Sequence, residues 1–165
     1  MSPIAIAVSL VAMERVAELV FAERNTRALK RQGAVEVGRG HYPLLVMLHA
    51  AWLAALVRWV PAATRPDPVL ILVYLALQFV RLWAILSLGR YWTTRILTLD
   101  APLARGGPYR YLRHPIYAVV VAELALLPLA FGAWRIMLVF SIINLVLLAW
   151  RIRIEDAALA ARRGA

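Results

Sequence analysis

Five apolar stretches dominate this 165-residue chain, at 3–22, 42–60, 68–88, 115–131 and 134–150. A helix of about 20 apolar residues crosses a hydrocarbon core of about 30 Å. Backbone inside lipid must satisfy its own hydrogen bonds, so a spanning segment that is not part of a barrel is helical. The stretches therefore predict an all-α integral membrane protein with five transmembrane helices. Composition agrees, since 63% of residues are hydrophobic and 17% charged. That excludes intrinsic disorder, which needs low hydrophobicity. It also leaves too few polar residues to cover the surface of so small a water-soluble fold. The last two stretches are short, and Pro128 with Gly132-Ala133 marks a tight hairpin between them. Tilt or a thinned bilayer accommodates such short spans. One domain over 1–165 is expected, with three spans and their loops in 1–100 and a loop, a helical hairpin and a C-terminal helix in 101–165.

The formal charge of +10 is almost entirely arginine, with Lys30 the one lysine among 19 basic residues. In a soluble protein this balance points to nucleic acid. Here the arginines lie mostly between apolar stretches, which suits membrane topology and anionic headgroups, and no nucleic-acid partner is expected. The segment 23–41 carries Arg24, Arg27, Lys30, Arg31 and Arg39, and 89–114 carries Arg90, Arg95, Arg105, Arg110 and Arg113. The tail carries Arg151, Arg153, Arg162 and Arg163, whereas the opposite side has Arg58, Arg65 and Arg135. This asymmetry predicts an outside N-terminus and a cytoplasmic C-terminus in the inner (plasma) membrane. The first stretch lacks a basic n-region and carries Glu14, Arg15 and Glu18, so it reads as a retained span rather than a signal peptide.

Ionisable residues within spans are costly and need a partner or a purpose. Glu14, Glu18 and Asn25 fall on one helical stripe, which fits an internal seam neutralised by Arg15 or Arg81, or the lining of a polar cavity. Gln78 and Arg81, three apart, can share one partner, and the isolated Glu123 needs a donor from another helix. His49 follows Tyr42 by seven residues and points the same way. His49 and Glu123 are candidate acceptor-side residues, although each also fits a packing role. No metal site is expected. The chain has no cysteine and no HExxH, and its three histidines lack i, i+4 pairing.

The segment Gly106-Gly-Pro-Tyr-Arg-Tyr-Leu-Arg-His-Pro-Ile-Tyr117 has the makings of a site. Pro115 can occupy the first position of a helix. Arg113 and His114 would then stand beside its unsatisfied N–H groups, where an anion is favoured. The same residues also fit an interfacial belt of aromatics and arginines. Farther on, Asn144, Arg151 and Glu155 lie on one stripe, and Arg151 with Glu155 has the spacing of an i, i+4 ion pair.

The stretch Gly107-Pro-Tyr-Arg-Tyr-Leu-Arg-His-Pro-Ile-Tyr117, followed by Arg151-x-x-x-Glu155-Asp156, resembles the isoprenylcysteine carboxyl methyltransferase family of membrane enzymes. Arg24-Asn25, Gly33-Ala-Val-Glu36-Val-Gly38, His41-Tyr-Pro43, His49 and Ser87-Leu-Gly-Arg-Tyr-Trp92 are similar to a bacterial branch encoded beside type III polyketide synthases. That branch O-methylates alkylpyrones and alkylresorcinols. The resemblance implies S-adenosylmethionine as cofactor, held on the cytoplasmic side by Tyr109, His114, Pro115, Tyr117 and Glu155. It further implies backbone contacts from the stretch Ala101 to Ala104, namely at Leu103 and Ala104. Arg151 matches the arginine at the substrate end and is the candidate catalytic residue. Ala118 stands where many members have glycine, and Asp156 where they have a second glutamate. The implied partners are a lipid-like acceptor, membrane lipid and a type III polyketide synthase as supplier. Prenylcysteine carboxylates and phospholipid amines are alternative acceptors. A membrane reductase using NADPH shares Arg-His-Pro-x-Tyr, and a non-catalytic scaffold is the third class. The Gly-rich βαβ pattern is absent, which excludes a Rossmann-type methyltransferase.

Overall fold

The computed structural model describes residues 1–99 and 106–163. The expected contacts of Leu103 and Ala104 lie outside the described residues. The chain is mostly helical, in the order α1 (Pro3–Arg31), β1 (Val35–Val37), α2 (Tyr42–Trp59), α3 (Pro68–Leu88), β2 (Ile96–Thr98), α4 (Pro115–Ala130) and α5 (Trp134–Arg163). Short 3₁₀ turns occupy Arg39–His41, Gly89–Tyr91 and Gly107–Arg110. Among the described residues, three segments are long and apolar enough to cross a membrane: Arg39–Trp59, Pro68–Tyr91 and Trp134–Ala158. The α4 helix has 16 residues, about 24 Å at the helical rise.

Local chemistry sets the helix ends. Ser2 caps α1 by accepting from the Ala5 N–H, with Pro3 in the first turn. Asp67 caps α3 by accepting from the N–H groups of Val69 (2.8 Å) and Leu70 (3.0 Å). The α4–α5 hairpin closes with a Schellman motif. The Ala133 N–H donates to the Pro128 carbonyl and the Gly132 N–H to that of Leu129, with Gly132 at φ +69°. A left-handed residue at this point turns the chain back after one residue, and glycine adopts it without strain.

Buried Ile4 and Val11 of α1 pack with Leu48, Trp52 and Leu56 of α2, Tyr74 of α3, and Leu124 and Leu127 of α4. Apolar side chains also remain outside: Leu72, Phe79 and Leu86 form an exposed stripe along α3. A stripe of that kind faces lipid without cost.

The costly charges are gathered into one network. Arg81 donates from Nε and Nη2 to the two carboxylate oxygens of Glu18 (2.5 and 2.7 Å) and from Nη1 to Glu123 Oε2 (3.0 Å). Arg15 donates to Glu18 Oε2 (2.9 Å), Glu123 Oε1 (3.1 Å) and Glu14 Oε2 (3.4 Å). Gln78 Nε2 adds a bond to Glu123 Oε1 (3.0 Å). Both arginines thus neutralise the seam, and Gln78 and Arg81 do share a partner. Asn25 lies on the same stripe but serves elsewhere. Its amide donates to the carbonyls of Gly89 (3.0 Å) and Trp92 (2.8 Å), just beyond the end of α3.

Two features depart from the sequence reading. The first helix continues nine residues past its apolar stretch, to Arg31. Asn25, Thr26 and Leu29 are buried there, just past Ala22, which packs with Ile85 and Trp92, so the basic segment is partly helix rather than loop. Beyond the expected helices, β1 and β2 pair antiparallel with Val35 opposite Thr98, Glu36 opposite Leu97 and Val37 opposite Ile96. Glu36 fastens this ribbon, accepting from Lys30 Nζ (2.5 Å) and Arg95 Nη1 (3.0 Å).

Burial opposes ionisation of Glu36, but the hydrogen bonds from Lys30 and Arg95 outweigh it and hold the carboxyl below its ordinary value. A depressed carboxyl pKa contributes stability above the unfolded value and loses it as the pH falls through the folded one. The thermal midpoint of the detergent-solubilised protein is therefore expected to fall on acidification below about pH 4.5. In Glu36→Gln the midpoint should start lower and fall less over that range; parallel profiles would count against this role.

Candidate active site

The C-terminal half places the motif residues around one opening. His114 is the residue before α4, and Pro115 begins the helix, as its spacing predicts. Tyr109 is carried by the 3₁₀ turn Gly107–Arg110, which is pressed against the end of α3. A Cβ at Gly107 would lie 2.1 Å from Ser87 Oγ and 2.9 Å from Ser87 Cβ, at a φ of +57°. Gly107→Ala is therefore expected to cost about 1–3 kcal/mol through overpacking and backbone strain. It should also displace Tyr109. Calorimetry with S-adenosylhomocysteine and a thermal scan check both effects, and wild-type values in both would show that the turn tolerates a side chain.

His114 and Tyr117 stack with ring centroids 5.1 Å apart and planes 11° from parallel. His114 faces two carboxylates, with Nδ1 3.8 Å from Glu155 Oε2 and Nε2 3.6 Å from Asp156 Oδ1. Arg151 and Glu155 do not form the expected direct i, i+4 pair. The Tyr117 hydroxyl stands between them, accepting from Arg151 Nε (2.6 Å) and donating to Glu155 Oε2 (2.5 Å). Arg151 Nη2 donates to the Thr94 carbonyl (2.8 Å), and Nη1 lies 3.1 Å from His41 Nε2. Arg151 itself is buried, with 6% exposure. Burial, reinforced by the charge of Glu155, pushes the Tyr109 phenol well above its ordinary value. Like an ordinary phenol, only more firmly, Tyr109 keeps its proton at neutral pH and has an O–H to donate.

Most of these groups line one cavity of about 860 Å³, although His41 and Asp156 do not border it. Tyr109, His114, Pro115, Tyr117, Arg151 and Glu155 all border it, together with His49. Arg15, Glu18 and Arg81 border it from within the helices, between apolar walls that include Leu45, Leu53 and Val120. Its size lies toward the upper end of ligand pockets, roughly 300–1,000 Å³. His49 and Tyr42 share it as their spacing predicts, and His49 Nδ1 is 2.8 Å from the Leu45 carbonyl. That contact fixes the proton on Nδ1 and leaves Nε2 as an acceptor. Glu123 is not among the cavity residues: it is 2% exposed and takes donors from Arg15, Gln78 and Arg81.

The donor set fits the cofactor that the motif implies. Glu155 offers a carboxylate for ribose hydroxyls or an ammonium group. The tyrosine faces suit an adenine ring and a sulfonium, the latter by cation–π attraction. His114 Nε2, at the start of α4, is buried and makes no hydrogen bond, with Asp156 Oδ1 3.6 Å away. No group of three or more metal-ligating side chains occurs among the described residues.

Sequence reasoning missed the collar around Arg151. Thr94 acts there through its carbonyl, which leaves no trace in the identity of a side chain. His41 was visible only as part of a motif, and its partner lies 110 residues away.

Comparison with known proteins bears on these residues. A model of the isoprenylcysteine carboxyl methyltransferase (ICMT) family matches residues 69–161. The chain is also 40% identical over 157 residues to the uncharacterized protein YpbQ of Bacillus subtilis (strain 168), covering 92% of this chain and 94% of that one. No solved structure gives a significant match.

Proposed function

Because the chain belongs to the isoprenylcysteine carboxyl methyltransferase family, we propose that it transfers a methyl group from S-adenosylmethionine to a hydroxyl of a lipid-like polyketide, an alkylpyrone or alkylresorcinol. One observation carries the reading: Tyr109, His114, Tyr117, Arg151 and Glu155 border one cavity whose inner walls are apolar. Separate cavities would have removed any basis for a shared donor and acceptor site.

Tyr109, His114, Pro115, Tyr117 and Glu155 hold the cofactor, which when bound supplies an electrophilic methyl group. The chain's own task is alignment and exclusion of water more than stabilisation of new charge. Arg151 orients the acceptor oxygen, and its fixed cation favours the ionised form of an acidic pyrone or phenol hydroxyl. His49, with Nε2 as acceptor, is placed to take a proton or a polar contact from an acceptor head deeper in the cavity. The apolar walls receive the start of an alkyl tail, the remainder staying in lipid. In this reading the protein sits in the inner membrane with five spans and a cytoplasmic site, and a type III polyketide synthase supplies the acceptor.

The name of the matching family favours a second acceptor, the prenylcysteine carboxylate, which Arg151 suits equally well. The two are separated by incubating purified protein with radiolabelled S-adenosylmethionine and a panel of alkylpyrones, alkylresorcinols and prenylcysteines. Label is expected in the polyketides. Label confined to prenylcysteines would reverse the choice of acceptor. Binding of NADPH without any response to S-adenosylhomocysteine would replace methyl transfer by reduction.

A further inference from the structure

We infer that His41 is the positioning residue for Arg151, so that a side chain from the first half of the chain completes the acceptor end of the site. It lies outside residues 69–161, the segment that the family model matches. Arg151 Nη1 lies 3.1 Å from His41 Nε2 in a buried contact, and His41 is 1% exposed. A guanidinium has only donors and does not give up its proton in a protein. His41 Nε2 must therefore accept, and Nδ1 must carry the ring proton. A second proton on the ring would point at a cation across that same 3.1 Å.

The ring is held in place from several sides. Trp150 meets it edge-on with centroids 6.0 Å apart. At Gly38, where φ is +66°, a Cβ would lie 2.6 Å from Ile154 Cγ2 and 3.1 Å from His41 Cε1. The chain entering α2 is thus pressed onto α5 between Trp150 and Ile154, the residues that flank Arg151 by one and three positions. With Tyr117 on Nε and the Thr94 carbonyl on Nη2, three of the five guanidinium donors are engaged. The plane of the guanidinium is fixed, and the remaining two donors serve the acceptor oxygen. Without His41, Nη1 loses its anchor and the fork is free to rotate about the contacts that remain.

The kinetic part of the test rests on the methyl-transfer reading, and a spectroscopic part does not. In the ¹⁵N spectrum of histidine-labelled protein, the ring assigned to His41 by its loss in His41→Gln should show Nε2 as an unprotonated acceptor. That signal should move in Arg151→Ala. A protonated Nε2, or a signal indifferent to Arg151, would overturn the inference. In turnover assays His41→Leu is expected to lower kcat by about 10- to 100-fold. The acceptor KM and the affinity for S-adenosylhomocysteine should stay within about twofold. His41→Gln, whose amide oxygen can stand in for Nε2, should recover most of the loss. Wild-type kcat in His41→Leu, or equal impairment of the two variants, would also overturn it. Should the wild-type protein bind no S-adenosylhomocysteine and methylate nothing, the methyl-transfer reading fails, while the nitrogen spectrum still decides the role of His41.

Discussion

Arg151→Ala is expected to lower methyl transfer by about 10²-fold, because the acceptor oxygen loses both its alignment and the cation that favours its ionised form. The fall should appear in kcat, with the affinity for S-adenosylhomocysteine largely kept, because Arg151 faces the acceptor in the proposed site. Glu155→Ala should show the converse pattern, with cofactor affinity lost first. Arg151→Lys keeps the charge but not the planar fork, so it cannot hold Tyr117, His41 and the Thr94 carbonyl together. It should remain close to the alanine variant. Steady-state kinetics and calorimetry on the purified protein separate these effects. Wild-type turnover in both Arg151→Ala and Glu155→Ala would remove the site assignment.

The largest loss of stability is expected from Arg81→Leu, about 3–5 kcal/mol, since it strips a buried cation from two carboxylates. The side chains of Arg81, Glu18 and Glu123 are 7%, 13% and 3% exposed. Arg15 would remain as the one arginine against Glu14, Glu18 and Glu123, and little solvent reaches Glu123 to screen the excess. Unfolding in detergent micelles should show the variant far less stable or unable to accumulate folded. The triple variant Arg81→Leu, Glu18→Gln, Glu123→Gln should regain much of the loss, because neutral amides need no counter-charge. Arg81→Leu with wild-type stability would mean that Arg15 and Gln78 suffice.

How much of this was legible in the sequence depends on what kind of contact carries each feature. The helix start at Pro115 and the turn at Gly132 were readable, because proline and glycine impose their own geometry. The partnering of Glu123 was readable as a need, since a lone carboxylate in an apolar run demands a donor. The donors themselves came from helices far apart in sequence. The ribbon of β1 and β2 escaped because two three-residue strands are too short to show a period. The extension of α1 escaped because hydropathy falls after Phe21 while helix-forming residues continue to Arg31. At the site, the spacing of Arg151 and Glu155 suggested an ion pair. A third residue 34 positions before Arg151 takes both bonds instead, and periodicity within one helix cannot reveal that.

The Tyr117 hydroxyl has a thermodynamic consequence. In the proposed site this O–H joins Arg151, on the acceptor side, to Glu155, on the cofactor side, so a ligand that moves either residue has a route to the other. Whatever draws Glu155 away from that hydroxyl changes the hold on Arg151, and the reverse holds equally. By linkage, the factor by which one ligand tightens or loosens the second must equal the factor returned. Removing this single oxygen with Tyr117→Phe would cut that route, and any coupling it carries would be lost with it.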